Sequence, residues 1–205
     1  MAPLRVNMTQ VKAERNCHDR PQGHDSRRAR RGGNRQSTSG ARSEPRHGLR
    51  LLLSGTFGRR DSPRRLFRPR PLLVVNTASL CGYTPQYAGL QQLWTEFRDR
   101  GLGMIGVPSN DFGGQEPGGA DDIAETAQHQ YAVTFPIAAK AVVVGPNAHP
   151  FYKWAAEARP KDVPRWNFHK YLIGRDGYIA DVFASAVEPT DTRIKTAIGR
   201  ALAAG

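Results

Sequence analysis

Four side chains scattered along this sequence have the types needed to reduce a peroxide: Cys81, Gln115, Trp166 and Asn167. Cys81 lies in Val74-Val75-Asn76-Thr77-Ala78-Ser79-Leu80-Cys81-Gly82-Tyr83-Thr84-Pro85. Leu72 to Val75 predict a short buried strand. Thr84 suits an N-cap, Pro85 suits the first helical position, and Tyr87, Leu90, Trp94 and Phe97 recur at helical spacing. The cysteine is therefore expected on a strand-to-helix turn, where the positive end of a helix dipole favours thiolate over thiol. A free cysteine can equally be a small core residue, so its neighbours must decide.

A thiolate reduces a peroxide by attacking one oxygen while the other leaves with the negative charge, and the sulfur becomes a sulfenic acid. An ordinary cysteine is ~7 % ionised at pH 7.4, so full ionisation gains only about 13-fold. Donors aimed at the departing oxygen gain far more, about 100-fold for one of them. Gln115 and Asn167 offer amide N–H groups and Trp166 an indole N–H, and none of the three titrates near neutral pH. Singly, each also reads as an ordinary residue: a polar loop glutamine, a packing aromatic, a turn-forming asparagine.

Their surroundings tie them together. Gly106-Val107-Pro108-Ser109-Asn110-Asp111-Phe112-Gly113-Gly114-Gln115-Glu116-Pro117-Gly118 and Arg165-Trp166-Asn167-Phe168-His169-Lys170-Tyr171-Leu172, with the cysteine segment, resemble the signature blocks of the glutathione peroxidase family. The resemblance runs in order from about Leu72 to about Leu202 and includes Val133-Thr134-Phe135-Pro136 and Asn147-Ala148-His149-Pro150. It implies a thioredoxin-like α/β fold, a mixed central sheet flanked by helices, with Cys81, Gln115, Trp166 and Asn167 as a catalytic tetrad. It also implies a hydroperoxide substrate, a role in the response to oxidative stress and no bound cofactor.

Two departures from the family pattern refine this expectation. Thioredoxin-dependent relatives carry a resolving cysteine in the helix after the Gly-Gly-Gln-Glu-Pro loop, where this chain reads Ala124-Glu125-Thr126-Ala127-Gln128-His129-Gln130; a second loop position, often cysteine in relatives, is Ser109. Oxidised Cys81 is then expected to need a small external thiol, glutathione first, rather than thioredoxin. Arg165 and Lys170, flanking Trp166 and Asn167, are candidate partners for the glutathione carboxylates, although exposed charges there could be a plain solvated rim. The other departure is at the front, where arginine-rich sequence replaces the extended hairpin usual in the family. The switch at Arg70-Pro71 is abrupt, as if the coding frame or start site changed there.

The elements that must position the tetrad follow from periodicity. A second strand is expected at Leu102 to Val107 after a C-cap at Gly101, then a helix opened by Asp121 and Asp122 with Ile123, Ala127 and Tyr131 on one face. Val142 to Val144 suggest a short strand, and Phe151, Trp154 and Ala158 a short helix. Tyr171-Leu172-Ile173 and Tyr178 to Phe183 form a hairpin about Gly174-Arg175-Asp176-Gly177, and Ile194, Ile198 and Leu202 mark a final amphipathic helix.

The chain has 205 residues and a net charge of +12. Residues 1–70 hold 17 Arg and one Lys against five acids, a net +13, while the other 12 basic and 13 acidic residues give −1. This tail is too poor in apolar residues to form a core and is expected to be disordered; residues 71–205 suffice for one domain. Its arginines could attract nucleic acid, which makes a nucleic-acid-binding protein the rival reading. A salt-dependent gel shift lost on deleting residues 1–70 would support it. No stretch is long and apolar enough to span a membrane, and the tail lacks the order of a secretory signal. With two cysteines, one in the tail, a cytoplasmic protein is expected. His129, His149 and His169 lack ligand spacing, so no metal site is expected. Ala158 to Pro164 lack the insertion that tetrameric relatives carry, which favours a monomer.

Overall fold

The computed structural model describes residues 70–204. The expected disordered tail, Cys17 and the arginine runs lie outside these residues, apart from Arg70. Strand β1 (Leu72–Thr77) is the second of a four-stranded sheet ordered β2-β1-β3-β4, with β2 at Gly103–Pro108, β3 at Lys170–Ile173 and β4 at Ile179–Phe183. β1 runs parallel to β2 and antiparallel to β3, and β3 runs antiparallel to β4. This is the mixed sheet that the alternation of elements implies.

The first four residues of β1, Leu72 to Val75, are all apolar because the strand is covered on both faces. Leu73 and Val75 meet α1 (Gln86–Phe97) and α4 (Thr192–Ala203) through Tyr87, Leu90, Leu93, Phe97, Ile194 and Ile198. Leu72 and Val74 point the other way, towards Phe151, Tyr152 and Ala155 of α3 (Pro150–Ala158). Gly101, at φ 102°, ends the 3-10 turn Arg98–Arg100 that prolongs α1, and so provides the expected stop.

Three local expectations are corrected. Thr84 does not cap α1: Pro85 holds that position without a side-chain cap, and the Thr84 hydroxyl is used inside the turn before it. Val142 to Val144 form no strand, because the Val143 and Val144 amides donate to Asp111 Oδ2 at 2.6 and 3.1 Å. The helix opened by Asp121 and Asp122, α2 (Ala120–Ala124), widens into a π-helical turn at Glu125–Gln130. Ile123 and Ala127 are buried as expected, while Tyr131 is only partly covered. Among the described residues no helix is long and apolar enough to cross a membrane.

Candidate active site

The cysteine turn is built around one hydroxyl. Thr84 Oγ1 donates to the Ala78 carbonyl at 2.8 Å and accepts the Cys81 amide at 3.1 Å, while the Thr84 amide donates to the Cys81 carbonyl at 2.9 Å. Cys81 is thereby fixed beyond the end of β1, 6 % exposed. Its Sγ accepts the Tyr83 amide at 3.3 Å. An N–H aimed at sulfur strengthens when the sulfur carries negative charge.

Residues 109–118 form the second wall. Gly113 and Gly114 take φ values of 65° and 64°, a consecutive left-handed pair that favours glycine. The Gln115 carbonyl accepts the Leu80 amide at 3.0 Å, and Ser79 Oγ donates to Glu116 Oε2 at 3.2 Å, so this loop is fastened directly to the residues before the cysteine. Lys140 Nζ donates to the carbonyls of Glu116, Pro117 and Gly118 and holds the far end. Burial pushes the Glu116 carboxyl up, opposed by its hydrogen bonds from Ser79.

Asn76 fixes the third wall. Its Nδ2 donates to the Trp166 carbonyl at 3.1 Å, its Oδ1 accepts the His169 amide at 3.1 Å, and its carbonyl accepts the Phe168 amide at 2.6 Å. The chain bearing Trp166 and Asn167 is therefore clamped beside the end of β1. Asn167, fully buried, donates through Nδ2 to Gln115 Oε1 at 3.0 Å. That bond spends the Gln115 oxygen and leaves its two Nε2 protons for another acceptor. Trp166 packs on Phe112, ring centroids 6.0 Å apart, and is 39 % exposed.

The structure thus joins Gln115 directly to Asn167, Gln115 to the cysteine turn through Leu80, and Trp166 to the same loop through Phe112. The two tentative substrate-binding cations part company. Arg165 is exposed beside Trp166, whereas Lys170 is fully buried with its three protons committed to Gln86, Phe168 and Val187. Lys170 cannot hold a glutathione carboxylate at a rim, because strand alternation and the antiparallel pairing with β1 turn it into the core. Burial lowers it to about 7, against the pull of Glu188. Asn76 and Glu116 were not singled out by sequence reasoning, and Thr84 was expected only as a helix cap; a polar Asn76 following the apolar run was the available signal for the first.

The sequence model of the family described as "Glutathione peroxidase" matches residues 59–156, starting inside the arginine-rich segment. The "Hydroperoxy fatty acid reductase gpx1" of a Synechocystis strain is 44 % identical over 137 residues, covering 62 % of this chain and 80 % of that protein. The chain belongs to the glutathione peroxidase family. Another relative, the "Glutathione peroxidase homolog BsaA" of Staphylococcus epidermidis, is 42 % identical over 134 residues, 64 % of this chain and 84 % of its own length. The solved structure titled "Crystal structure of Trgpx in apo form" superposes with a TM-score of 0.55 at 33 % identity, covering 70 % of this chain and 86 % of that one. A "Thioredoxin-like Protein in the Oxidized Form" superposes at 0.51 with 14 % identity, covering 74 % and 90 %, and shows the shared thioredoxin-like fold.

Proposed function

We propose that this member of the glutathione peroxidase family reduces hydrogen peroxide or organic hydroperoxides at Cys81 with electrons from glutathione or a similar small thiol, in defence of the cytoplasm against oxidants. The observation that carries the reading is the linkage of Gln115 both to Asn167 and to the turn that presents Cys81. In this reading Cys81 sulfur bonds to one peroxide oxygen as the O–O bond breaks. The other oxygen leaves as alkoxide or hydroxide, steadied by the amide and indole donors, and takes up a proton. Glutathione then attacks the sulfenic sulfur, water departs, and a second glutathione releases the thiol as glutathione disulfide. An organic peroxide suits a site that leaves Leu80, next to Cys81 in the chain, 67 % exposed and Trp166 partly exposed; the Synechocystis relative is named for fatty acid hydroperoxides.

Support for a small-thiol donor comes from residues 124–130, which offer no thiol to resolve the sulfenic acid. The short 158–164 connection supports a monomer. The test is steady-state peroxide consumption by the full chain with glutathione and, separately, with thioredoxin as donor. Faster turnover with glutathione and a single glutathione adduct on Cys81 are expected. Efficient thioredoxin turnover through a Cys17–Cys81 disulfide would overturn the small-thiol assignment.

A further inference from the structure

We propose that Lys170 is a positioning residue for peroxide reduction, locking the Trp166-Asn167 segment to the helix behind Cys81. The inference rests on the peroxidase reading above and adds a residue outside the tetrad to it. Lys170 Nζ donates to Gln86 Oε1 at 2.7 Å, to the Phe168 carbonyl at 2.8 Å and to the Val187 carbonyl at 2.8 Å. These acceptors belong to three separate parts of the chain: the first residue of α1, the segment entering β3, and the connection between β4 and α4. A buried ammonium is a costly core filler, and an apolar side chain of the same length would fill the space without it. What the ammonium adds is a three-way tie.

The strained point of that tie lies next to Asn167. Phe168 is fully buried and has φ 63°, a conformation that a bulky residue keeps only when its surroundings over-determine it. Its amide is held by the Asn76 carbonyl at 2.6 Å and its own carbonyl by Lys170. Losing the second clamp frees the carbonyl of the peptide after Phe168 and lets the strained Phe168 relax, and the Asn167 to Gln115 bond beside it is the first contact to suffer. Titratable groups near the ammonium are Glu188, which also meets Gln86, and His169, the residue just before β3; β1 and β4 oppose Lys170 with Val75 and Phe183.

The experiment is stopped-flow oxidation of Cys81 by hydrogen peroxide in the full chain, from about pH 5.5 to about pH 9, beside alkylation of Cys81 by iodoacetamide. Lys170→Met is expected to slow oxidation at least about 10-fold, part of the roughly 100-fold that a misplaced donor costs, with alkylation little changed. The wild-type oxidation rate should decline on the alkaline side as the ammonium loses its proton. Gln86→Glu, which sets a carboxylate against it, should move that decline to higher pH. Oxidation of Lys170→Met within threefold of wild type, or a Gln86→Glu profile that superimposes on wild type, would overturn the proposal. If Lys170→Met does not fold, the Gln86→Glu profile decides alone. A wild-type chain that peroxide does not oxidise would instead overturn the peroxidase reading, and this proposal with it.

Discussion

Two helical segments follow two walls of the site, and they are built differently. α1, just past the cysteine turn, buries Gln86, Tyr87, Leu90, Leu93 and Phe97, and its first residue is tied to Lys170. The segment after the Gln115 loop is α-helical only over Ala120–Ala124, widens into a π turn, and buries Ile123, Thr126 and Ala127. Its Glu125 and His129 pair at 2.7 Å on the solvent side, and it ends near Ala132 at φ 52°. The first helix packs directly behind the turn that presents Cys81, the sulfur that attacks on the proposed reading. The second offers no thiol in residues 124–130, so on the proposed reading the oxidative half of the chemistry is built in and the reductive half arrives from outside.

Cys81→Ser breaks the comparison at its strongest point. It should abolish peroxide turnover while leaving the fold intact, because a hydroxyl of nearly the same shape ionises far too weakly to attack. Residual turnover within tenfold of wild type would contradict the assignment. Next in size, Leu90→Ala in α1 should cost about 3 kcal/mol in urea unfolding, as a fully buried leucine does, whereas exposed Gln128→Ala should stay within about 0.5 kcal/mol. Equal costs would mean that the two helices are equally well anchored.

The donors come next. Gln115→Ala and Trp166→Phe should each slow Cys81 oxidation about 100-fold, beyond the roughly 13-fold that ionisation explains, without a matching loss of stability. A fall in melting temperature alone would make them packing residues. The smallest effect concerns His169, buried where β3 begins. Burial, and then Lys170, lower it to about 4, so it stays neutral in the fold while the unfolded chain takes up a proton below about pH 6.5. The stability from keeping it neutral is complete above that pH and is lost as pH falls towards 4, on the order of 2 kcal/mol. His169→Phe should flatten this acid limb in unfolding measured at about pH 4.5 and 7.5, and an unchanged limb would remove His169 as its source.

Legibility in the sequence tracked how local the cause was. The uninterrupted run in β1, the Asp176-Gly177 turn between β3 and β4 and the amphipathic α4 carry their reasons in adjacent residues. Thr84 misled because its hydroxyl has two roles available within one turn, and the partner that wins, Ala78, lies back at the strand end. The expected strand at Val142 to Val144 failed because a carboxylate far back in the chain, Asp111, takes its amides. Lys170 looked like a rim cation because charge normally marks surface, and only the sheet pairing reveals three acceptors waiting inside. The four proposed site residues stood out by type and order, and the structure adds the Asn167 to Gln115 bond that joins two of them. The asparagine that clamps the Trp166-Asn167 segment, Asn76, was visible only as a polar residue where an apolar one would extend the strand.

The most direct test is a single-turnover reaction: the reduced full chain mixed with one equivalent of hydrogen peroxide, followed by intact-mass and peptide analysis before and after glutathione is added. The account predicts one oxygen on Cys81, trapped as a sulfenic acid, stable until the thiol arrives and then replaced by one glutathione. Rapid formation of a Cys17–Cys81 disulfide without added thiol, or peroxide consumed with Cys81 unmodified, would contradict it.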